Sequence, residues 1–128
     1  MDHAKSALAG DSLSGLFAVH VLAWKPDAFS AYLIGSPSLW AGDKELIGKV
    51  RQAAARGNGR RVFIGDGNAG QEAAGGPMID NLQAALSSPG STFVVSRKTY
   101  EGQTHNSVPA FTMTDGIQFL FPITPSPK

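Results

Sequence analysis

The sequence predicts an α/β fold with about four mostly parallel strands and flanking helices. Short apolar runs alternate along the chain with segments of helical periodicity, which is typical of a parallel sheet whose strands are joined by crossover helices. The chain has 128 residues, of which 42% are hydrophobic, and this is enough for one domain with a substantial core. Because no internal repeat or linker interrupts the pattern, residues 1–128 are predicted to form a single domain.

The first half of the chain holds two strand–helix units. The first strand is predicted over residues 5–9, and the helix Leu13–Trp24 is apolar nearly all round, which predicts that it is buried. After a proline, Ala31–Gly35 has the continuous apolar character of a second buried strand. Asp43 is a candidate N-cap for the next helix, which is predicted to end near Arg56.

The second half repeats this order. Residues 61–64 are predicted as the third strand, and residues 65–76, which hold five glycines and no apolar periodicity, are predicted as a long loop. A helix is predicted over residues 77–86 with Pro77 in its first turn, where proline is tolerated. The fourth strand is predicted over residues 92–96, extending toward Tyr100, and the last helix over residues 108–121.

Composition and charge exclude several classes of function. Eleven basic and ten acidic residues give a net charge of +1 and are scattered, so no basic surface for nucleic acid or a membrane is predicted. The absence of cysteine excludes disulfides and thiolate metal sites, and no His/Asp/Glu cluster has ligand spacing. No signal peptide follows Met1, and no apolar run approaches the roughly 18 residues of a membrane span. We therefore predict no metal, cofactor, nucleic-acid partner or membrane partner, while the location, cytoplasmic or periplasmic, stays open.

A serine at the first strand–helix junction is the leading candidate for a functional residue. The run Gly10-Asp11-Ser12-Leu13-Ser14 places Ser12 between an apolar strand and a helix, which is typical of an elbow, a sharp turn that exposes a nucleophilic hydroxyl. The usual pattern is G-x-S-x-G, because the strained backbone requires small residues two positions before and after the serine. Gly10 meets this requirement and Ser14 meets it less well. Ser12 is therefore the predicted nucleophile.

A serine hydroxyl needs a base, and histidine has a suitable pKa. The chain has three histidines. His3 is close to the start of the chain, and His20 lies in the predicted buried helix, where a structural role is favoured. His105 follows the last strand, at the carboxyl edge of the sheet where Ser12 also emerges, and open α/β sheets bind ligands along that edge. His105 is the predicted general base.

Four motifs occur in order along the chain. They are Ala9-Gly10-Asp11-Ser12-Leu13-Ser14-Gly15-Leu16-Phe17-Ala18, Pro26-Asp27-x-Phe29, Ser36-Pro37-Ser38-Leu39-Trp40 and Glu101-Gly102-x-Thr104-His105-Asn106-Ser107-Val108. Over residues 4–121 the chain resembles the esterase family of α/β-hydrolases, nearest to its siderophore (enterochelin-type) branch. The resemblance implies the C-terminal half of an α/β-hydrolase domain with the N-terminal half absent, and hydrolysis of carboxylic esters through an acyl-enzyme. Ser12 matches the family nucleophile and His105 the family histidine.

The resemblance directs the search for a catalytic acid to the loop after the third strand, which holds Asp66 and Glu72. Glu72 is favoured, because it lies further into the loop and is able to reach back over the sheet edge toward His105. Asp66 is the alternative, although an Asp before Gly more often accepts hydrogen bonds from the backbone of its own turn. Some members of the branch are thought to work with a Ser–His dyad, so a third interpretation is that neither carboxylate is needed.

The resemblance also implies an oxyanion hole and a substrate cleft. One oxyanion donor is predicted to be the backbone N–H of Leu13, and the other is expected from a segment upstream of this chain. Loss of one such donor costs about 2.7 to 4 kcal/mol of transition-state stabilisation, so a partial site is expected to be slow. Ser36, Ser38 and Trp40 lie in the loop beside the elbow and are the predicted substrate-binding residues, with cover for the core edge as the alternative role of Trp40.

Two rival interpretations remain. Gly10-Asp11-Ser12-Leu13 also spells the motif of the GDSL hydrolases, but that family has an Asp three residues before its histidine, where this chain has Gly102, and a G-x-N-D segment that this chain lacks. The second rival is a catalytically impaired or non-catalytic half domain with a structural role. In that half, the strand from Lys5 to Ala9 would be an open sheet edge. We predict that self-association or a separate N-terminal half covers it, and that the substrate is a small ester.

Overall fold

Four parallel strands form the centre of the computed structural model, which describes residues 6–123. The strands lie in sequence order across one sheet as β1 (Ala7–Asp11), β2 (Ala31–Gly35), β3 (Arg61–Gly67) and β4 (Val94–Tyr100). All three neighbouring pairs are parallel, beginning with Ala7 opposite Ala31. The predicted fold class is therefore confirmed. Because the carboxyl ends of parallel strands lie at one edge, the loops that follow them are brought together there.

A helix follows each strand. These helices are α1 (Leu13–Trp24), α2 (Leu46–Ala53), α3 (Glu72–Leu86) and α4 (Val108–Leu120). A short 3₁₀ turn over Ala54–Arg56 continues α2 to the predicted end of that helix. The Asp43 side chain accepts a hydrogen bond from the Glu45 N–H at 2.9 Å, so the predicted cap residue stabilises the turn just before α2 rather than its first residue.

The two faces of the sheet bury different sets of side chains. Helices α1, α2 and α3 pack over one face, where the central strands contribute Tyr32, Ile34, Val62 and Ile64. Helix α4 packs on the other face, where Leu120 meets Leu33 and Phe63. Neighbouring residues of a strand point to opposite faces, so the two central strands are covered on both sides. This explains why their sequences are apolar without alternation.

Helix α1 is buried on one side only, so the prediction of complete burial is wrong. Leu16, Val19 and Leu22 pack into the core, whereas Leu13, Phe17 and Trp24 are 62%, 60% and 81% exposed. His20 is exposed as well, which contradicts its predicted role as a buried structural histidine. A helix that packs against a sheet on one side and a single neighbouring helix leaves an outward stripe uncovered, even where that stripe is apolar.

The segment after β3 also differs from the prediction. Strand β3 continues to Gly67 and α3 begins at Glu72, so the connecting loop spans residues 68–71 instead of 65–76. Pro77 consequently lies inside α3 and not in its first turn. The helix starts through tight turns in which the Glu72 N–H donates to the Ala69 carbonyl, and the following residues are small and largely exposed. Such residues carry no apolar periodicity, and this hides the helix start in the sequence.

Strand β1 lies at an end of the sheet. Lys5 and His3 are outside the described residues, and the strand runs over Ala7–Asp11, which brings its end directly to Ser12. Within residues 6–123 no strand pairs with the outer edge of β1. In the same part of the chain, no helix has the length and apolar character needed to cross a membrane.

Candidate active site

Ser12 forms a sharp turn between β1 and α1. Its φ of 61° and ψ of −119° lie in a region that residues other than glycine rarely occupy. The Ser12 N–H donates to the Gly35 carbonyl at 2.9 Å, and the Ser12 carbonyl accepts hydrogen bonds from Leu16 at 3.0 Å and Ser38 at 3.1 Å. These bonds anchor the strained turn to α1 and to the segment after β2. The Ser12 side chain is thereby held at the carboxyl edge of the sheet.

The closest backbone contacts at this turn are made by Gly10 and Gly15. A Cβ atom at Gly10 would lie 2.2 Å from the Ser14 carbonyl oxygen, and one at Gly15 would lie 2.7 Å from the Gly35 carbonyl oxygen. Ser14, where the usual motif has glycine, is exposed. The serine at this position therefore meets no steric obstacle, because the close approach occurs one residue later.

His105 lies in the loop between β4 and α4 and contacts both Ser12 and Glu72. Its Nε2 atom is 2.9 Å from the Ser12 Oγ, and its Nδ1 atom is 3.3 Å from the Glu72 Oε2. An ionised carboxylate only accepts hydrogen bonds, so the Nδ1 atom is assigned the proton and Nε2 accepts from the Ser12 hydroxyl. The three side chains form one hydrogen-bonded chain that is able to move a proton from serine to histidine.

Glu72 is the first residue of α3, and its carboxylate is held by neutral donors. Its Oε1 atom accepts hydrogen bonds from the Ser36 hydroxyl and, at 3.3 Å, from the Gly67 N–H. The side chain is 10% exposed. Among the described residues, no lysine or arginine forms an ion pair with it. The negative charge of Glu72 is therefore directed at His105 alone.

Asp66, the alternative acid, lies within β3 and is engaged by the neighbouring strand. Its carboxylate forms two hydrogen bonds with the Arg97 guanidinium, at 2.9 and 3.2 Å, and accepts a third from the Thr99 hydroxyl at 2.8 Å. Burial acts to lower the pKa of Arg97, but the hydrogen bonds to Asp66 and Asp80 raise it on balance. The expectation that Asp66 binds the backbone of its own turn is wrong. It forms no contact with His105.

A cleft of about 370 Å³ opens beside Ser12 and His105. Ser38 lines it with its Oγ atom 3.3 Å from the Ser12 Oγ, and Trp40 stands at its rim with 77% of its surface exposed. Ser36 also borders the cleft, but it is 4% exposed and its hydroxyl is donated to Glu72. The three predicted substrate-binding residues thus share one cleft, while the Ser36 side chain has a contact that the sequence did not predict.

Two further groups adjoin the elbow. Leu13 begins α1, and the first N–H groups of a helix have no intrahelical acceptor, which suits the Leu13 N–H to binding an oxyanion. Asp11 carries the one buried side-chain oxygen in residues 6–123 without a hydrogen-bond partner, its Oδ1. Burial raises the pKa of Asp11, while His105 lowers it and Glu72 raises it further. No group of three His, Asp or Glu residues suited to a metal occurs in the same residues.

Sequence comparison relates the chain to two siderophore esterases. It is 42% identical over 48 residues, or 38% of its length, to the siderophore enterobactin esterase of Emericella nidulans. It is 49% identical over 39 residues, or 30% of its length, to the ferri-bacillibactin esterase BesA of Bacillus subtilis. These segments make up 16% and 14% of the two relatives. No protein-family model matches the chain.

Structural comparison extends this similarity to almost the whole chain. The crystal structure of the BES protein from Bacillus cereus superposes with a TM-score of 0.79 and 26% identity, over 95% of this chain and 48% of that one. The chain therefore spans about half the length of that protein. The siderophore hydrolase EstA from Aspergillus nidulans superposes with a TM-score of 0.69 and 27% identity, over 89% of this chain and 47% of that one. Siderophore esterases and hydrolases are thus similar to this chain in both sequence and structure, which confirms the resemblance inferred from the four motifs. The four-stranded sheet corresponds to about half of an α/β-hydrolase.

Proposed function

We propose that this chain carries the catalytic residues of a carboxylic ester hydrolase. The observation that carries the proposal is the hydrogen-bonded series of Ser12, His105 and Glu72, in which Ser12 Oγ lies 2.9 Å from His105 Nε2. A serine is a useful nucleophile only where a base removes its proton, and this contact has the length that such a transfer requires. The similarity to siderophore esterases supports an ester as the class of substrate.

In the proposed reaction, His105 accepts the Ser12 proton at Nε2 as the Ser12 Oγ attacks the ester carbonyl carbon. The N–H of Leu13 donates a hydrogen bond to the oxyanion that develops, and the Glu72 carboxylate stabilises the positive charge on His105. His105 next returns the proton to the departing alcohol, leaving an acyl group on Ser12. Water then loses a proton to His105 and attacks the acyl carbon. The bond between that carbon and the Ser12 Oγ breaks, the acid is released, and His105 returns the proton to the Ser12 Oγ.

We further propose that the ester is of the siderophore type. The relatives are named for enterobactin and ferri-bacillibactin, and the proposal carries that class of ester over to this chain. The exposed ring of Trp40 at the rim of the cleft offers a flat surface on which an aromatic part of such an ester would stack. Release of acid from ferri-bacillibactin, followed by chromatography, tests this part of the proposal, and Trp40→Ala tests the stacking.

We propose in addition that another polypeptide covers the outer edge of β1. Unpaired strand edges attract further strands, and the exposed Leu13 and Phe17 lie on the helix that follows this strand. The candidates are a second copy of the chain and a separate segment corresponding to the rest of the solved relative. Light scattering on a size-exclusion column distinguishes a dimer from a monomer. A monomer whose β1 amides exchange at solvent rates would contradict this proposal.

Labelling with a fluorophosphonate probe tests the catalytic proposal directly, because the probe reacts only with an activated serine. We expect one label per chain, lost in Ser12→Ala. Ser14→Ala is the matched control, since Ser14 is a neighbouring exposed serine and its variant is expected to label like the parent. A folded chain that takes up no label would favour the non-catalytic alternative, in which the half domain has a structural or interaction role.

A further inference from the structure

A buried hydroxyl lies directly behind the proposed catalytic carboxylate. Ser36 follows β2, is 4% exposed and donates its hydroxyl hydrogen to the Glu72 Oε1. We propose that Ser36 is a positioning residue, whose hydroxyl fixes Glu72 Oε1 so that Oε2 faces His105. This inference rests on the proposed function, because it assigns the support of the same site. It also gives Ser36 a role other than the predicted contact with substrate.

The two oxygens of the Glu72 carboxylate have different partners. Ser36 and the Gly67 N–H both donate to Oε1, while Oε2 has His105 as its partner. A glutamate side chain has three rotatable bonds, so ordering it in one rotamer has an entropic cost that these contacts offset. Because Ser36 and Glu72 are buried, water does not readily replace a lost hydroxyl there. Removal of the Ser36 hydroxyl would thus leave the carboxylate oriented by one donor instead of two.

The backbone conformation of Ser36 also points to a role for its side chain. Its φ is 34°, in the left-handed region that glycine adopts at little cost and a serine does not. The Ser36 N–H donates to the Gly65 carbonyl at 2.8 Å, which extends the pairing of β2 and β3 by one residue and fixes this conformation. Backbone preference alone would favour glycine at this position. The serine is explained by the hydroxyl that only the side chain supplies.

The second donor, Gly67, joins the carboxylate to the loop that carries His105. A Cβ atom at Gly67 would lie 2.2 Å from the Gln103 carbonyl oxygen and 3.4 Å from the Glu72 Cγ. The same Gln103 carbonyl accepts a hydrogen bond from the Ala69 N–H at 3.1 Å. The ends of β2, β3 and β4 therefore meet around Glu72, and Ser36 is the contribution from β2.

Substitution of Ser36 by glycine tests the inference without straining the backbone. Ser36→Gly removes the hydroxyl, and glycine readily adopts the positive φ of this position. We therefore expect the free energy of unfolding to stay close to that of the parent. We expect kcat on a p-nitrophenyl ester to fall about 10- to 100-fold, the effect of one hydrogen bond to a charged group, with little change in KM. Ser36→Ala, which keeps the Cβ atom, is expected to lose the same factor.

Controls separate positioning from a general structural effect. In a Glu72→Gln background, Ser36→Gly is expected to cause no further loss, because Ser36 acts through the carboxylate. Ser88→Ala is the matched control, since Ser88 donates its hydroxyl to the Ala85 carbonyl at the far end of α3 and is expected to leave activity unchanged. Full activity in Ser36→Gly, or an equal loss in both backgrounds, would overturn the inference.

A spectroscopic readout keeps this test separate from the fate of the proposed function. The His105 Nδ1–H, hydrogen-bonded to Glu72, is expected to give a low-field proton NMR signal, assigned by its loss in His105→Gln. We expect Ser36→Gly to weaken or shift this signal and Ser88→Ala to leave it unchanged. A chain that takes no fluorophosphonate label but shows this pattern would refute the proposed function and support the positioning role. An absent wild-type signal, or one unaltered in Ser36→Gly, would overturn the positioning role itself.

Discussion

Asp66 and Glu72 lie close together in the chain and are both buried, yet their surroundings differ in one decisive respect. Asp66 forms an ion pair with the Arg97 guanidinium, whose positive charge lies against its carboxylate. Glu72 accepts hydrogen bonds from Ser36 and Gly67, neither of which carries a charge. Burial alone therefore does not distinguish the proposed catalytic acid from a structural carboxylate. Glu72 differs in that its carboxylate faces His105 and, among the described residues, pairs with no lysine or arginine.

The elements that carry the two carboxylates account for this difference. Asp66 lies in β3 opposite Thr99 of β4. Its carboxylate therefore contacts the side chains of Thr99 and of Arg97, which lies two residues earlier in the same strand. Glu72 begins α3, where the helix dipole favours a negative charge without a fixed cation. The Glu72 carboxylate would form a stabilising ion pair with His105 once that histidine is protonated. Asp66 does not contact His105 and would form no such pair. The surroundings are consistent with the proposed catalytic role of Glu72 and a structural role of Asp66. Substitutions at these two residues test that difference, and a third, at Asp11, tests a carboxylate that has neither kind of partner.

The largest expected effect is on turnover in Glu72→Gln. We expect kcat on a p-nitrophenyl ester to fall by about 10³- to 10⁴-fold, because an amide both lacks the charge and can hold His105 in the wrong tautomer. Fluorophosphonate labelling should slow in parallel, while circular dichroism should show a folded chain. Turnover close to that of the parent would indicate a Ser–His dyad and would remove the catalytic half of the comparison.

Asp66→Asn is expected to act on stability instead. It leaves the Arg97 guanidinium, whose side chain is 11% exposed, without its buried partner, so we expect a loss of about 3 kcal/mol in the free energy of unfolding. Asp80→Asn is the matched control, because Asp80 pairs with the same arginine but is 67% exposed. Its loss should stay below about 1 kcal/mol. Urea unfolding measures both, and a loss of turnover in stable Asp66→Asn would reverse the two assignments.

The smallest expected effect concerns Asp11, a carboxylate with neither a cation nor a donor on its buried oxygen. Burial raises the pKa of Asp11 above its ordinary 3.8, so the folded state keeps this proton to a higher pH than the unfolded state. The free energy of unfolding consequently falls as the pH rises from 3.8 through the raised pKa. Asp11→Asn removes the charge from this site and is expected to stabilise the chain at neutral pH by less than about 1 kcal/mol, because Asp11 is only partly buried.

The pH dependence makes this prediction specific. Below about pH 3 both the folded and the unfolded state carry the protonated acid, so the gain from Asp11→Asn should disappear there. Thermal unfolding of the parent and the variant across this range measures the difference. A gain of equal size at low pH would indicate an effect of packing, and would contradict the assignment of the penalty to the charge of Asp11.

The sheet and the contacts of His105 with Ser12 and Glu72 were accessible from the sequence, whereas the helical start at Glu72 and its contact with Ser36 were not. Alternating apolar runs and helical periodicity predict parallel strands, and parallel strands bring their carboxyl ends together. The start of α3 at Glu72 was hidden, because the Ala- and Gly-rich turn after it has no apolar periodicity. The contact of Ser36 with Glu72 depends on a backbone conformation that no local pattern of residues specifies.

The outer stripe of α1 shows a different limit. Composition reveals that Phe17 and Trp24 are apolar, but whether such residues are covered depends on which neighbours surround the helix. The contacts around the elbow at Ser12 were likewise not predictable from the sequence. The motif indicates that small residues are needed near Ser12, but only the structure shows that the close approach falls on Gly15 instead of Ser14.

The order of the strands has a consequence for how the chain folds. Each strand pairs with the next one along the sequence, so the sheet is able to grow stepwise from one end to the other, with a modest loop to close at each step. The hydrogen bond between Ser12 and His105 instead joins residues 93 positions apart. Because β1 and β4 lie at opposite ends of the sheet, we expect this bond to form only after all four strands have paired. Reactivity of Ser12 during refolding would therefore report the last event of assembly, and not the formation of any single element.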